Sequence, residues 1–79
     1  IPVLQNVQAD VIVANIIADV IIGLAPKATA FLKKGGSFIA SGIIRERRDD
    51  VEAAITEAGY RIERIEEKGS WVAIHSTKN

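Results

Sequence analysis

The run DVIVANI, residues 10–16, limits the fold more than any other stretch of this chain. Alternate residues of a strand point to opposite sides, so its valines and isoleucines load both faces with apolar groups. Their β-branched side chains favour a strand over a helix. A strand that is apolar on both sides belongs inside a sheet covered by helices, which is the setting of parallel strands in α/β proteins.

The rest of the chain supplies the partners such a strand needs. From Asp19 to Lys34 apolar residues recur at Val20, Ile21, Leu24, Ala28, Phe31 and Leu32, a helical spacing. Pro26 and Gly23 predict a kink or break between them, with a second helical segment continuing through Leu32. Lys33 and Lys34 suit a helix C-terminus, and Gly35 suits the left-handed residue after it. SFIASGII, residues 37–44, reads as a second strand. RERRDDVEAAITEAG follows as a second helix, with Val51, Ala54, Ile55 and Ala58 as its apolar stripe and Gly59 as its cap. YRIERIEE reads as a third strand in which Ile65 breaks the alternation, which predicts a bulge or a twist. EKGS is a turn, and WVAIHS a fourth strand. A turn that short cannot carry a parallel crossover, so the last two strands are antiparallel. IPVLQNVQ, residues 1–8, is a lead-in, either a short strand or extended.

A chain of 79 residues is at most one domain. Its composition, 48% hydrophobic and 25% charged, is that of a folded protein. There is no cysteine, which excludes disulfides, thiolate chemistry and cysteine-held metals, and leans toward a cytoplasmic setting. Ten basic residues balance ten acidic ones, so no global field draws the chain to nucleic acid or membranes. With a single histidine, His75, a dedicated metal site is not expected. The arginines of RERRDD, residues 45–50, could meet phosphate, but Asp49 and Asp50 blunt their charge and no aromatic residue is interleaved; they read as a solvated helix start.

Two readings of Asn15 stay open from the residues alone. It ends the first strand, where ligands of parallel sheets bind, and a carboxamide there both donates and accepts hydrogen bonds. It is equally a residue type that caps helices. Asp19 reads as a residue of the helix start. Ser41 and Gly42 close the second strand, as cleft lining or as a tight junction. No glycine-rich phosphate loop occurs, and Gly35–Gly36 lacks the spacing of one.

DVIVANIIAD at 10–19, LAP at 24–26, FLKKGGSFIASGI at 31–43, AGY at 58–60 and WVAI at 71–74 together resemble the carboxyl-terminal part of class I S-adenosylmethionine-dependent methyltransferases. They are most similar to the family that methylates ribosomal large-subunit protein eleven. The resemblance implies half of a Rossmann-like α/β sheet with helices packed on it. Its strands would be the fourth (Asp10–Ile16), fifth (Ser37–Gly42), sixth (Tyr60–Glu66) and seventh (Trp71–Ser76), in the order 4-5-7-6 with the last antiparallel. It implies that residues 1–79 form a single partial domain, the second half of a catalytic domain, a view that Ile1 in place of an initiating methionine also suggests.

By the same resemblance Asn15 is the catalytic amide that faces a target amine. Ala14, Asn15 and Ile16 flank the cofactor, S-adenosylmethionine, and Ser41 and Gly42 line the substrate cleft. Trp71 is expected to be a packing residue. Ser70 stands where the family pattern carries an acid, so no acidic contribution is expected there. The family's glycine-rich loop and ribose-holding acid are not in these 79 residues, so the chain alone is expected to bind no cofactor and transfer no methyl group. Its implied partners are the missing amino-terminal half of the enzyme and a ribosomal large-subunit protein. The alternative is a stand-alone α/β module without catalysis, self-associating through the exposed edge of its first strand.

Overall fold

The computed structural model describes residues 9–79. The elements run β1 (Ala9–Asn15), α1 (Ala18–Ala28), β2 (Leu32–Ile44), α2 (Arg48–Glu57), β3 (Tyr60–Lys68) and β4 (Trp71–Lys78), with single 3-10 turns at Thr29–Phe31 and Arg45–Arg47. The four strands form one sheet in the order β1-β2-β4-β3. β1 and β2 are parallel, and β4 inserts antiparallel between β2 and β3. This is the expected order 4-5-7-6 with its reversed last strand. The reading of residues 1–8 lies outside the described residues.

Both helices pack on the same face of the sheet. The stripe Ile21, Ala25 and Ala28 of α1 is buried, as are Val51 and Ile55 of α2. They meet Ala14 of β1, Phe38, Ala40 and Ile43 of β2, and Val72 and Ile74 of β4, in one core. Ser76 is the buried polar side chain of this face, and its hydroxyl donates to the Phe38 carbonyl at 3.0 Å. The opposite face carries Val11, Val13, Ile44 and Trp71, all exposed. The two-sided apolar pattern of β1 is therefore covered on one side only among the described residues.

Three local expectations are corrected. α1 runs unbroken through Gly23 and Pro26. Pro26 is exposed in the last turn, two residues before the helix ends, so it withholds a single bond, the one its N–H would have given the Ile22 carbonyl, and Gly23 faces open space. Gly35 does not cap a helix. β2 starts at Leu32, five residues earlier than expected, and the four residues Lys33 to Gly36 bulge out opposite Asp10 alone. Gly35 takes φ +83°, and a Cβ on Gly36 would stand 2.8 Å from the Lys33 carbonyl oxygen and 3.1 Å from that of Asp10. Finally, Ser41 and Gly42 lie within β2 rather than at its end.

The remaining punctuation is as read from the residues. Gly59 follows α2 with φ +96° and donates its N–H to Thr56. β3 bulges at Glu63, between the pairs Ile62–Ser76 and Arg64–His75.

Candidate functional site

Asn15 is the last residue of β1 and is exposed. It does not cap α1. That helix begins after Ile17, whose carbonyl accepts from Val20 and Ile21, with no side-chain cap. The cap reading of Asn15 is therefore set aside. Period-2 alternation puts Ala14 on the helix-covered face and Asn15 on the open one.

The parallel register sets Asn15 beside Ser41. On the other side of β2, Ala40 pairs with Ile74 and Ile43 with Val72, so Ser41 and Gly42 together stand opposite Ala73. This bulge gives β2 one extra residue at the level of Asn15. Gly42 adopts φ +76°, and a Cβ there would overlap Asn15 Oδ1. The Asn15 carboxamide thus occupies space that any other residue at 42 would need.

Trp71 completes the group. It opens β4 and pairs with Ile44 of β2 and Lys68 of β3, while the Arg45 N–H donates to the Ser70 carbonyl at 3.0 Å. The indole stays 55% exposed, so it is not the packing residue expected from the sequence. Asn15, Ser41, Gly42 and Trp71 line one cleft of about 430 Å³. The residue types offer an amide, a hydroxyl, a close-approach backbone and an aromatic face, and none of the three side chains titrates in water. Trp71 is the member of this cleft lining that sequence reasoning missed. Its signal was the alternation of WVAIHS, which puts Trp71, Ala73 and His75 on the face that carries Asn15.

Ala14 and Ile16 contribute differently from Asn15. Ala14 is 6% exposed within the core, and Ile16 packs against it. Only their backbones reach the strand end. Asp19 lies in the first turn of α1 and accepts from Arg47 Nη2 at 2.7 Å. Arg47 also donates to Asp50 at 3.0 Å, and the two carboxylates hold its guanidinium above its ordinary pKa. Arg48 pairs with Glu52 and Glu67, and Arg45 with Glu67. The arginines of residues 45–48 are thus engaged with acids of their own chain. His75 lies half-buried on the open face, 3.1 Å from Ser37 Oγ through Nε2. Among the described residues no group of three or more His, Cys, Asp or Glu could hold a metal ion, and no helix is long and apolar enough to cross a membrane.

The cofactor implied by the resemblance can be tested against this lining. An uncharged amide, a hydroxyl and an indole face suit an amine and a small cationic group. They include no carboxylate to hold the ribose hydroxyls of a nucleoside. The lining fits the reacting end of S-adenosylmethionine and not its adenosine end.

Comparison with known proteins shows the family to which the chain is similar. The profile of the family described as Ribosomal protein L11 methyltransferase (PrmA) matches residues 2–79. A ribosomal protein L11 methyltransferase of Heliobacterium modesticaldum is 61% identical over 67 residues, 85% of this chain but 21% of that protein. The chain therefore spans about a fifth of the length of that relative. The crystal structure of ribosomal protein L11 methylase from Lactobacillus delbrueckii subsp. bulgaricus superimposes with a TM-score of 0.87 and 29% identity, over 95% of this chain and 39% of that one. A methyltransferase from Pyrococcus furiosus, 18% identical with a TM-score of 0.76 over 94% of this chain and 43% of that one, shares the fold. The chain belongs to the ribosomal protein L11 methyltransferase family.

Proposed function

We propose that this chain forms the carboxyl-terminal part of the catalytic domain of a cytoplasmic methyltransferase that uses S-adenosylmethionine to methylate amino groups of a ribosomal large-subunit protein. The observation that carries the reading is the exposed Asn15 at the carboxyl end of β1, in one cleft with Ser41, Gly42 and Trp71. Bound S-adenosylmethionine supplies an electrophilic methyl group on a sulfonium. The Asn15 carboxamide and the backbone carbonyls at the end of β1 accept hydrogen bonds from the target amine and aim its lone pair. The Trp71 face would offer the cationic reacting groups a cation–π surface. Ser41 offers a hydroxyl to the same amine. None of these three side chains acts as a base, so the amine proton leaves to another group or to water. The chain's share of catalysis is positioning and electrostatics rather than proton transfer. The adenosine end is held by segments outside these 79 residues, so this chain by itself binds no cofactor.

The test is a chimera in which residues 9–79 replace the matching segment of the Heliobacterium modesticaldum relative. Methyl incorporation into ribosomal protein L11 is measured with labelled S-adenosylmethionine. The chimera transfers methyl groups, and Asn15→Ala in it lowers kcat by about tenfold or more, the scale of one positioning hydrogen bond in a transition state. A folded chimera in which Asn15→Ala leaves kcat unchanged removes Asn15 from the mechanism. Calorimetric binding of S-adenosylmethionine to the 79-residue chain would refute the division of the cofactor site.

A second reading, self-association of the chain through β1, is favoured by one observation. β1 is an edge of the sheet, and Val11 and Val13 are 51% and 65% exposed on its uncovered side.

A further inference from the structure

We infer that Gly42 is a positioning residue for Asn15: its missing side chain is the slot that holds the Asn15 carboxamide at the mouth of the cleft. The inference rests on the reading of Asn15 as the amine-orienting residue. Its structural half can be tested without that reading.

Two independent features select glycine here. The backbone at Gly42 is left-handed, with φ +76°. A Cβ built on it would overlap Asn15 Oδ1, with Asn15 Cγ at 3.6 Å and the Ile16 carbonyl oxygen at 3.7 Å. The second feature has no counterpart at the other left-handed glycines. Gly35, Gly59 and Gly69 have φ of +83°, +96° and +61°, yet a Cβ on any of them would meet nothing within 4 Å. Those three need glycine for backbone conformation alone. At Gly42 the vacant volume is also occupied by the end of a particular side chain.

The bulge explains how that arises. Ser41 and Gly42 face the single residue Ala73, which turns the β2 backbone locally and brings Gly42 beneath Asn15 although Ser41 is its register partner. An atom at the tip of a side chain yields more easily than backbone. A larger residue at 42 therefore swings the Asn15 carboxamide away rather than prying the strands apart. The consequence falls on the orientation of Asn15 and not chiefly on the fold.

The experiment compares Gly42→Ala with Gly35→Ala, which imposes the same kind of left-handed strain where no side chain is displaced. In the 79-residue chain, the side-chain amide resonances of Asn15 are followed by ¹H–¹⁵N correlation spectra. Gly42→Ala moves them and Gly35→Ala leaves them in place. Unmoved Asn15 resonances in folded Gly42→Ala, or equal movement in both variants, overturn the inference. Should Gly42→Ala not fold, Gly42→Asn, whose residue type tolerates positive φ best after glycine, takes its place with the same expected shift. In the chimera, Gly42→Ala lowers kcat about tenfold while Gly35→Ala changes it less than about twofold. Resonances that move while kcat holds in both Gly42→Ala and Asn15→Ala mean that the slot exists and the proposed catalytic role of Asn15 fails. Resonances that stay while Asn15→Ala abolishes activity mean the reverse, and overturn the inference alone.

Discussion

The Tyr60 hydroxyl donates a hydrogen bond of 2.8 Å to the carbonyl of Ala25, tying the start of β3 to the last turn of α1. The acceptor belongs to the end of a helix, where carbonyls have lost their intrahelical partners. The Tyr60 ring is 3% exposed and packs 5.2 Å from that of Phe38. Tyr60→Phe keeps the ring and removes the donor, leaving a buried carbonyl unsatisfied. Urea unfolding of the 79-residue chain should show a loss of about 1–3 kcal/mol with an unchanged m-value. A loss well under 0.5 kcal/mol, on the order of an ordinary surface substitution, would mean that water replaces the phenol.

The same residue sets a pH dependence. Burial pushes the Tyr60 phenol up to about 12, above its ordinary value of 10.0. The folded state thus keeps a proton that the unfolded state releases first. The stabilisation from this group is complete below about pH 10 and is lost as the pH rises toward 12, by up to about 3 kcal/mol. Lysines titrate in the same range, so the quantity to measure is the difference in stability between wild type and Tyr60→Phe. That difference should shrink between pH 10 and 12 and stay level between pH 7 and 9.

Much of this architecture was legible because it rests on periodicity. The stripe Val51 and Ile55 and the alternation of WVAIHS report which side of each element meets the core, and the short turn after Lys68 allows only an antiparallel return. The order β1-β2-β4-β3 came from the family resemblance, since local pattern does not say where a hairpin docks. Residues 33–36 were misread because a glycine with positive φ serves a helix cap and a strand bulge alike; what distinguishes them is Asp10, distant in sequence. Asn15, Ser41 and Gly42 were placed together, but their interlock was not legible. It depends on a bulge whose register is fixed by β4, thirty residues further on. Trp71 was misplaced for a related reason. Large aromatic residues are usually buried, and only the absence of a helix on this face among the described residues leaves it open.

Trp71 offers a way to separate site from scaffold. With its indole 55% exposed, its stabilising role is confined to cross-strand contact with Ile44 and Lys68. Pairs of this kind contribute roughly 0.2–1 kcal/mol. Trp71→Ala should therefore cost about 1 kcal/mol or less in unfolding of the 79-residue chain. In the chimera it should lower methyl transfer about tenfold, equivalent to about 1.4 kcal/mol and within the range of a cation held on an indole face. Trp71→Phe should recover part of the rate. A chimera that tolerates alanine at 71 without loss would return Trp71 to a purely structural role.

β1 supplies the last prediction. Among the described residues it pairs with β2 on one side only, leaving a row of backbone donors and acceptors without a strand partner, and Val11 and Val13 stand exposed beside it. Among the described residues nothing covers this edge. Asp10 at its start pairs with Lys33 at 3.3 Å, and the rest of β1, residues 11–15, carries no charge. An apolar edge of this kind recruits another strand, and a lysine on it opposes pairing because its ammonium would be forced out of water. Sedimentation of the 79-residue chain over a concentration series should show mass rising with concentration, and Val13→Lys should remain monomeric over the same series. Val13 is 65% exposed and outside the core shared by the helices, so the substitution should leave the circular dichroism spectrum and the unfolding midpoint of the monomer unchanged. Wild-type chain that stays monomeric throughout, or Val13→Lys that associates equally, would show that β1 is not the associating edge.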